Sequence, residues 1–424
     1  MAFDAATVRA RLIERSVNTD YRAFFVGGLV LAIAGAALFM LSVSGMGAQQ
    51  RAWQAFHVNW VFWTGITGGS IAITSVHKLV GAKWSGVIIR LSQATAFFIP
   101  VSLVGLVLIQ TVGYHHIYGN MVAALDGVSP GKARWLSHSW MAARMFLALG
   151  LLYALGIRMI RSDLLPDLHA VKEKVSGARR ARFDRMLAGY DEAANQKRLF
   201  RSAAIYAPLY AFVMTVVAFD GIMALQPHWF SNLLGGWYFM GAWLGALMLQ
   251  ALMMLYARKA AGLDEFISEK QRHDLGKLCF GFTVFWTYLM WAQFLVIWYG
   301  NLPEETGFVF ARLWGPWRPI GAAVGAGVFI IPFAGLLGVA PKKAPVTLGL
   351  IATISLCALW LERYLMITPS VTGEPGPVFG LPELGPILLF LGLFLFCYAV
   401  FARRFPMVSP RLAMVTLEKE ASLH

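Results

Sequence analysis

Charge is what this chain has least of. Of its 424 residues only 14% are Asp, Glu, Lys or Arg while 58% are hydrophobic, and the mean hydropathy is +0.61. No water-soluble fold of this length carries so little charge on its surface, so the composition reads as an integral membrane protein. Cysteine is nearly absent too. Cys279, Cys357 and Cys397 all fall inside apolar stretches, without a C-x-x-C pair, which excludes a disulfide framework and argues against a zinc site or cluster built by this chain alone. Acidic residues number 22 against 36 basic ones, giving a net charge of +14. The excess lies in short segments between apolar runs, where it sets topology and meets anionic membrane lipid, so nucleic-acid binding is excluded. Haem is excluded by placement, since His57 and His77 mark opposite ends of one expected helix and the other candidates crowd one face.

What is present is apolar length. With roughly 20 apolar residues needed to cross a hydrocarbon core of about 30 Å, ten spans are expected at 23–43, 57–77, 88–112, 137–159, 201–225, 233–257, 276–299, 319–339, 345–366 and 385–402. The run 23–43 follows a polar, basic segment 1–22 and is longer than a signal-peptide core, so it reads as an uncleaved first helix. With the N-terminus inside, only Arg51, Lys132, Arg134, Arg144, Arg312, Arg318 and Arg363 of the 36 basic residues fall off the inner side. Both termini are therefore expected in the cytoplasm, the tail being 403–424. The richest inner loop, 161–199, reads as a solvated and lipid-facing charge run with a short surface helix near 181–195.

A weak internal echo adds an architecture. Trp60-Val-Phe-Trp-Thr-Gly65 opens the second span and Trp237-Tyr-Phe-Met-Gly241 the sixth, both running inward. An offset of four helices preserves orientation, so the expectation is an all-α membrane protein of two four-helix bundles, 57–225 (spans 2–5) and 233–366 (spans 6–9), with spans 1 and 10 peripheral.

Ionisable groups inside spans are costly and are candidates for function. Asp220 lies close to the outer end of span five and Arg144 about 10 Å into span four, so the two can pair. One reading is an interfacial ion pair closing the bundle; the other is a site that accepts protons or holds a quinol headgroup, with His138, His228, His115 and His116 as outer relays. Toward the cytoplasm His77, Arg90, Gln93, Tyr206, Tyr210 and Thr215 form a candidate proton path, with Tyr206 and Tyr210 on one helix face. The plainer reading is that His77 and Arg90 cap helices and the tyrosine hydroxyls bond backbone carbonyls. Glu362 and Arg363 read as a self-satisfied pair, and Glu304 and Glu305, in a segment on the outer side, as partner contacts.

Three stretches resemble one family. Phe219-Asp-Gly-Ile-Met-Ala-Leu-Gln-Pro-His-Trp-Phe-Ser231 with Gly236-Trp-Tyr-Phe-Met-Gly241, the pair His273-Asp-Leu-Gly-Lys-Leu278 and Trp298-Tyr-Gly-Asn-Leu-Pro-Glu-Glu-Thr306, and Val76-His-Lys-Leu-Val-Gly-Ala-Lys-Trp84 are similar to signatures of the ActF subunit of bacterial alternative complex III. That complex is a quinol:electron-acceptor oxidoreductase of the NrfD-like membrane family, and Gly221 stands where its pattern usually has Trp. The resemblance covers most of 55–320. It implies a fold of two four-helix bundles plus two helices in the bacterial inner membrane, and a subunit with no cofactor of its own that contributes a proton path. Implied partners are an ActC-like second NrfD subunit holding the better-supported quinol site, an iron–sulfur subunit, multihaem and monohaem c cytochromes, small membrane subunits and, in some complexes, a terminal oxidase. Menaquinol or ubiquinol would be the reductant. Readings from other classes are an independent secondary transporter, which needs matching broken helices in both halves, and a purely structural scaffold.

Overall fold

The computed structural model describes residues 4–45 and 48–422, so positions 1–3 and 423–424 of the two expected terminal segments lie outside the described residues. All regular structure among them is helical. In order, the helices are α1 (Ala5–Val17), α2 (Arg22–Ser44), α3 (Gln49–Leu79), α4 (Ile89–Gln93), α5 (Ile99–Thr111), α6 (Tyr114–Ala123), α7 (Pro130–Trp135), α8 (His138–Val171), α9 (Gly177–Leu187) and α10 (Glu192–Gly221). The second half adds α11 (Leu234–Ala260), α12 (Glu269–Gly300), α13 (Pro303–Leu313), α14 (Arg318–Val324), α15 (Ile331–Gly335), α16 (Val339–Lys343), α17 (Pro345–Val371), α18 (Leu381–Arg404) and α19 (Pro410–Ala421). Nine helical runs among the described residues are long and apolar enough to cross a membrane, and the chain is a multi-pass, all-α membrane protein.

The expected second span is not one of those nine. Its helix, α3, has 31 residues and is about 46 Å long at 1.5 Å per residue, but it carries Gln54, His57, Asn59, Thr64, Thr67, Ser70, Thr74, Ser75 and His77. All nine are buried. The helix packs against α10, α11, α17 and α18 rather than facing lipid, so apolarity along its length is not required of it.

Around α3 the contacts fall into groups. Helices α5, α8 and α10 pack with it and α8 packs with both of the others, while α11, α12, α17 and the run α14–α15 pack together on its other side. Two of these helices are irregular. The run Ile89–Thr111 passes through a 3-10 turn at Ala94–Phe98 before Pro100, whose missing N–H starts a fresh helix, and α14 and α15 are joined by a π-helical stretch, Gly325–Ile330. Helix α12 ends at Asn301, whose φ of 45° is the left-handed conformation that asparagine tolerates as a helix stop.

Helices α2 and α18 form a close pair. A Cβ on Gly35 would stand 2.2 Å from the Leu389 nitrogen, and one on Gly392 would stand 2.3 Å from that of Ala32. Gly28 and Gly385 are nearly as tight, so two glycines seven apart on each helix let the backbones meet, as small residues do at membrane helix interfaces. Helix α1 packs against α19, and the Met407 amide donates to the Ser16 carbonyl at 3.0 Å. Both chain ends therefore lie at one end of the molecule, called here the near end; the start of α3 lies at the far end.

Several boundaries differ from the sequence reading. The fourth span continues as helix to Val171 and the fifth begins at Glu192, so the expected inner loop 161–199 shrinks to a linker carrying α9. The helical period does not stop at the charged run: Leu164, Leu165, Leu168 and Val171 keep an apolar face and are buried.

Candidate functional site

The extension of α8 carries two acidic residues into the near end of the protein. Asp163 and Asp167, one helical turn apart, are fully buried beside the fully buried Arg90 of α4. Arg90 donates to Asp167 Oδ2 and to Gln93 Oε1, Gln93 Nε2 donates to Asp163 Oδ2 at 2.8 Å, and Lys78 Nζ lies 2.7 Å from Asp163 Oδ1. Arg411 of α19 reaches the same Asp163 oxygen at 3.4 Å. Three cations thus surround two carboxylates, which is how charge is tolerated away from water. The cluster is not closed, because Asp167 Oδ1 and Arg90 Nε have no partner from the protein. His77 stands beside it, its Nδ1 2.8 Å from Ser85 Oγ.

At the far end Arg144 on α8 meets Asp220 on α10. Its Nε and Nη2 donate to the two carboxylate oxygens at 2.7 and 2.5 Å, and its Nη1 donates to the Trp135 carbonyl at 2.6 Å, with the Trp135 ring under the guanidinium. Asp220 is 1% exposed. The pair is continuous with α3: Tyr118 donates to the Asp220 carbonyl at 3.1 Å, and His57 Nε2 bonds the Gly221 carbonyl at 2.7 Å, leaving Nδ1 without a partner. At Gly221, a Cβ would stand 3.7 Å from that His57 nitrogen.

Between the two ends runs the polar side of α3. Thr64 Oγ1, Ser102 Oγ and Tyr153 OH form a buried hydroxyl chain with steps of 2.7 and 2.8 Å, and Thr67 and Thr74 hold buried hydroxyls with no partner from the protein. From His57 to His77 is 20 residues of helix, about 30 Å, the thickness of a hydrocarbon core.

The anticipated residues divide accordingly. Asp220 and Arg144 come together, as do Arg90 and Gln93. Tyr206 and Tyr210 donate to the backbone carbonyls of Gly68 and Phe239 at 3.2 and 2.8 Å, and Thr215 back-bonds to Ala211, which is the plainer of the two readings for those hydroxyls. His138 stacks on Tyr114 with ring centres 3.8 Å apart and bonds the Gln110 carbonyl. Among the described residues the histidine rings that hydrogen-bond are those of His57, His77 and His138; His115 and His228 are exposed and His116 half-buried, and none of the three joins the Asp220 pair. Glu304 and Glu305 sit in the first turn of α13, the former exposed. Asp163, Asp167, Lys78 and Arg411 are additional, the first two lying in the segment 161–199 that from its charge is expected to be a solvated loop.

The second group of helices has its own polar centre. Glu362 is 1% exposed and lies 3.2 Å from Arg363, yet neither of its carboxylate oxygens accepts a hydrogen bond. It lines a cavity of about 110 Å³ shared with Trp237, Trp286, Gln293 and Arg312. Arg312 is held by the carbonyls of Phe308 and Met366, and Phe308 in turn stacks on Trp229 with ring centres 3.6 Å apart. The turn 226–229 is thereby anchored to the second group of helices. No three His, Cys, Asp or Glu residues among those described converge as metal ligands. The chain matches no family model and no curated protein.

Proposed function

We propose that this chain is an NrfD-like, ActF-type membrane subunit of a quinol-oxidising respiratory complex and that its own contribution is a proton route through the first four-helix bundle. In this reading ten spans cross the bacterial inner membrane, α3 included, in two four-helix bundles with α2 and α18 beside them and both termini in the cytoplasm. Electrons would travel through partner subunits: an ActC-like subunit, an iron–sulfur protein and c-type cytochromes. The signature stretches around Phe219–Ser231 and His273–Thr306 support the family.

One observation carries the route. A helix crossing the molecule is polar along one buried side for about 30 Å and ends at a carboxylate cluster on one face and a carboxylate–guanidinium pair on the other. A purely structural helix in an apolar bundle gains nothing from unpartnered buried hydroxyls, each of which costs about 1–3 kcal/mol. Protons would enter at Asp163 and Asp167, pass along the hydroxyls of α3 and leave through His57 and Asp220. Since Arg144 occupies both Asp220 oxygens, that carboxylate suits proton release better than holding a quinol hydroxyl.

Isolation of the chain from its native membrane tests the assignment. The expected result is co-purification with haem- and cluster-bearing partners, together with quinol oxidation that loses its coupled proton release in Asp167→Asn. A stable lone chain would overturn it in favour of a transporter.

A further inference from the structure

A cavity of about 470 Å³ opens between α8 and α10 at the near end, under α9. Three arginines line it: Arg158 and Arg161, one turn apart on α8, and Arg198 across from them on α10. All three are exposed, and none has an ion-pair or side-chain hydrogen-bond partner among the described residues. The one carboxylate in the wall, Asp191, accepts the Ala194 amide at 2.6 Å as the N-cap of α10. At the base lies Asn195, 2% exposed, whose Nδ2 donates to the Ser162 carbonyl at 2.7 Å while its Oδ1 has no partner.

We propose that this cavity holds the headgroup of an anionic phospholipid of the phosphatidylglycerol class. Three unpaired guanidiniums against one engaged carboxylate favour an anion, and planar guanidinium forks suit phosphate oxygens. The cavity lies beside a membrane-spanning helix pair where basic residues meet the headgroup layer, so a lipid phosphate is at hand and its acyl chains can run along the exposed apolar residues Leu151 and Ile205. The buried Asn195 oxygen is an acceptor, so the head must also donate; a glycerol hydroxyl does, whereas the choline head does not. The inference is independent of the respiratory reading, because it rests on residues outside the proton route.

The test is native mass spectrometry of the full chain released from nanodiscs of phosphatidylcholine containing phosphatidylglycerol, phosphatidic acid or neither. Expected is one retained phosphatidylglycerol, held better than phosphatidic acid, with retention weakened on the order of a hundredfold in the triple variant R158Q/R161Q/R198Q. A control triple, K174Q/R185Q/R201Q, removes exposed cations elsewhere on the same face and should retain the lipid. Proton release by the assembled complex should be unchanged in both. Equal retention of phosphatidylcholine, equal loss in the control, or displacement by millimolar inorganic phosphate, which would mark a free-phosphate site, each overturns the proposal.

Discussion

Arg144 closes on Asp220 with two parallel hydrogen bonds, and in doing so ties α8 to α10 at the point where α10 ends and the turn 222–233 begins. The carboxylate is more deeply buried than the guanidinium, at 1% against 13% side-chain exposure. The two are therefore not equivalent under substitution. Arg144→Gln leaves an anion buried without a cation and is expected to cost about 3–5 kcal/mol; the double change Arg144→Gln with Asp220→Asn should recover much of that. Unfolding of all four proteins in one detergent gives the coupling energy. Additive losses would mean that the pair is not formed.

The near-end cluster predicts a contrast between neighbours. Asp163 faces Lys78, Arg90 and Arg411, so Asp163→Asn takes the carboxylate from Lys78 and Arg411 and leaves Arg90 with Asp167 alone, which should prevent stable folding or lower the melting temperature strongly. Asp167 bonds through one oxygen and leaves the other open, so Asp167→Asn should be the better tolerated. Comparing melting temperatures of the two variants decides this, and the reverse order would remove Asp163 as the centre of the cluster.

The glycines of α2 and α18 give a purely steric prediction. At Gly35 the nearest atom to an added Cβ is a backbone nitrogen, which cannot move aside as a side chain would. Gly35→Ala or Gly392→Ala should push the helices apart and destabilise the pair by about 2 kcal/mol or more, whereas Gly27→Ala, which meets nothing within 4 Å, should be neutral. Disulfide trapping between cysteines placed on the two helices would report the separation.

How much of this could be read beforehand depends on the kind of signal. Nine of the ten anticipated spans have the apolar length that the sequence advertises, and the Arg144–Asp220 pair follows from two charges at matching depth. What escaped was relational. Asp163 and Asp167 sit among Arg158, Arg161, Lys172 and Lys174, where charge density suggests a loop; only the continuing spacing of Leu164, Leu168 and Val171 shows that the helix persists and buries them. The glycines at 28, 35, 385 and 392 are seven apart, but a period of seven in two distant helices says nothing until the helices are known to touch. Helix α3 was expected for its length, while its polar residues, unusual for lipid, make sense only once other helices cover every side.

Those polar residues yield the most discriminating prediction. Thr67 and Thr74 bury hydroxyls that no protein group satisfies, and valine has nearly the same shape without the hydroxyl. If α3 were only a structural element, Thr67→Val with Thr74→Val would remove two unsatisfied groups, raise stability by about 1–3 kcal/mol for each and leave activity alone. If the hydroxyls serve as stations for protons in the proposed respiratory complex, the same substitutions should still stabilise the fold but slow proton release by that complex severalfold while its quinol oxidation without a membrane potential is spared. Stability and proton movement then change in opposite directions, a combination that loss of folding cannot produce. A rise in stability with unchanged proton release would reduce α3 to packing and move the route elsewhere.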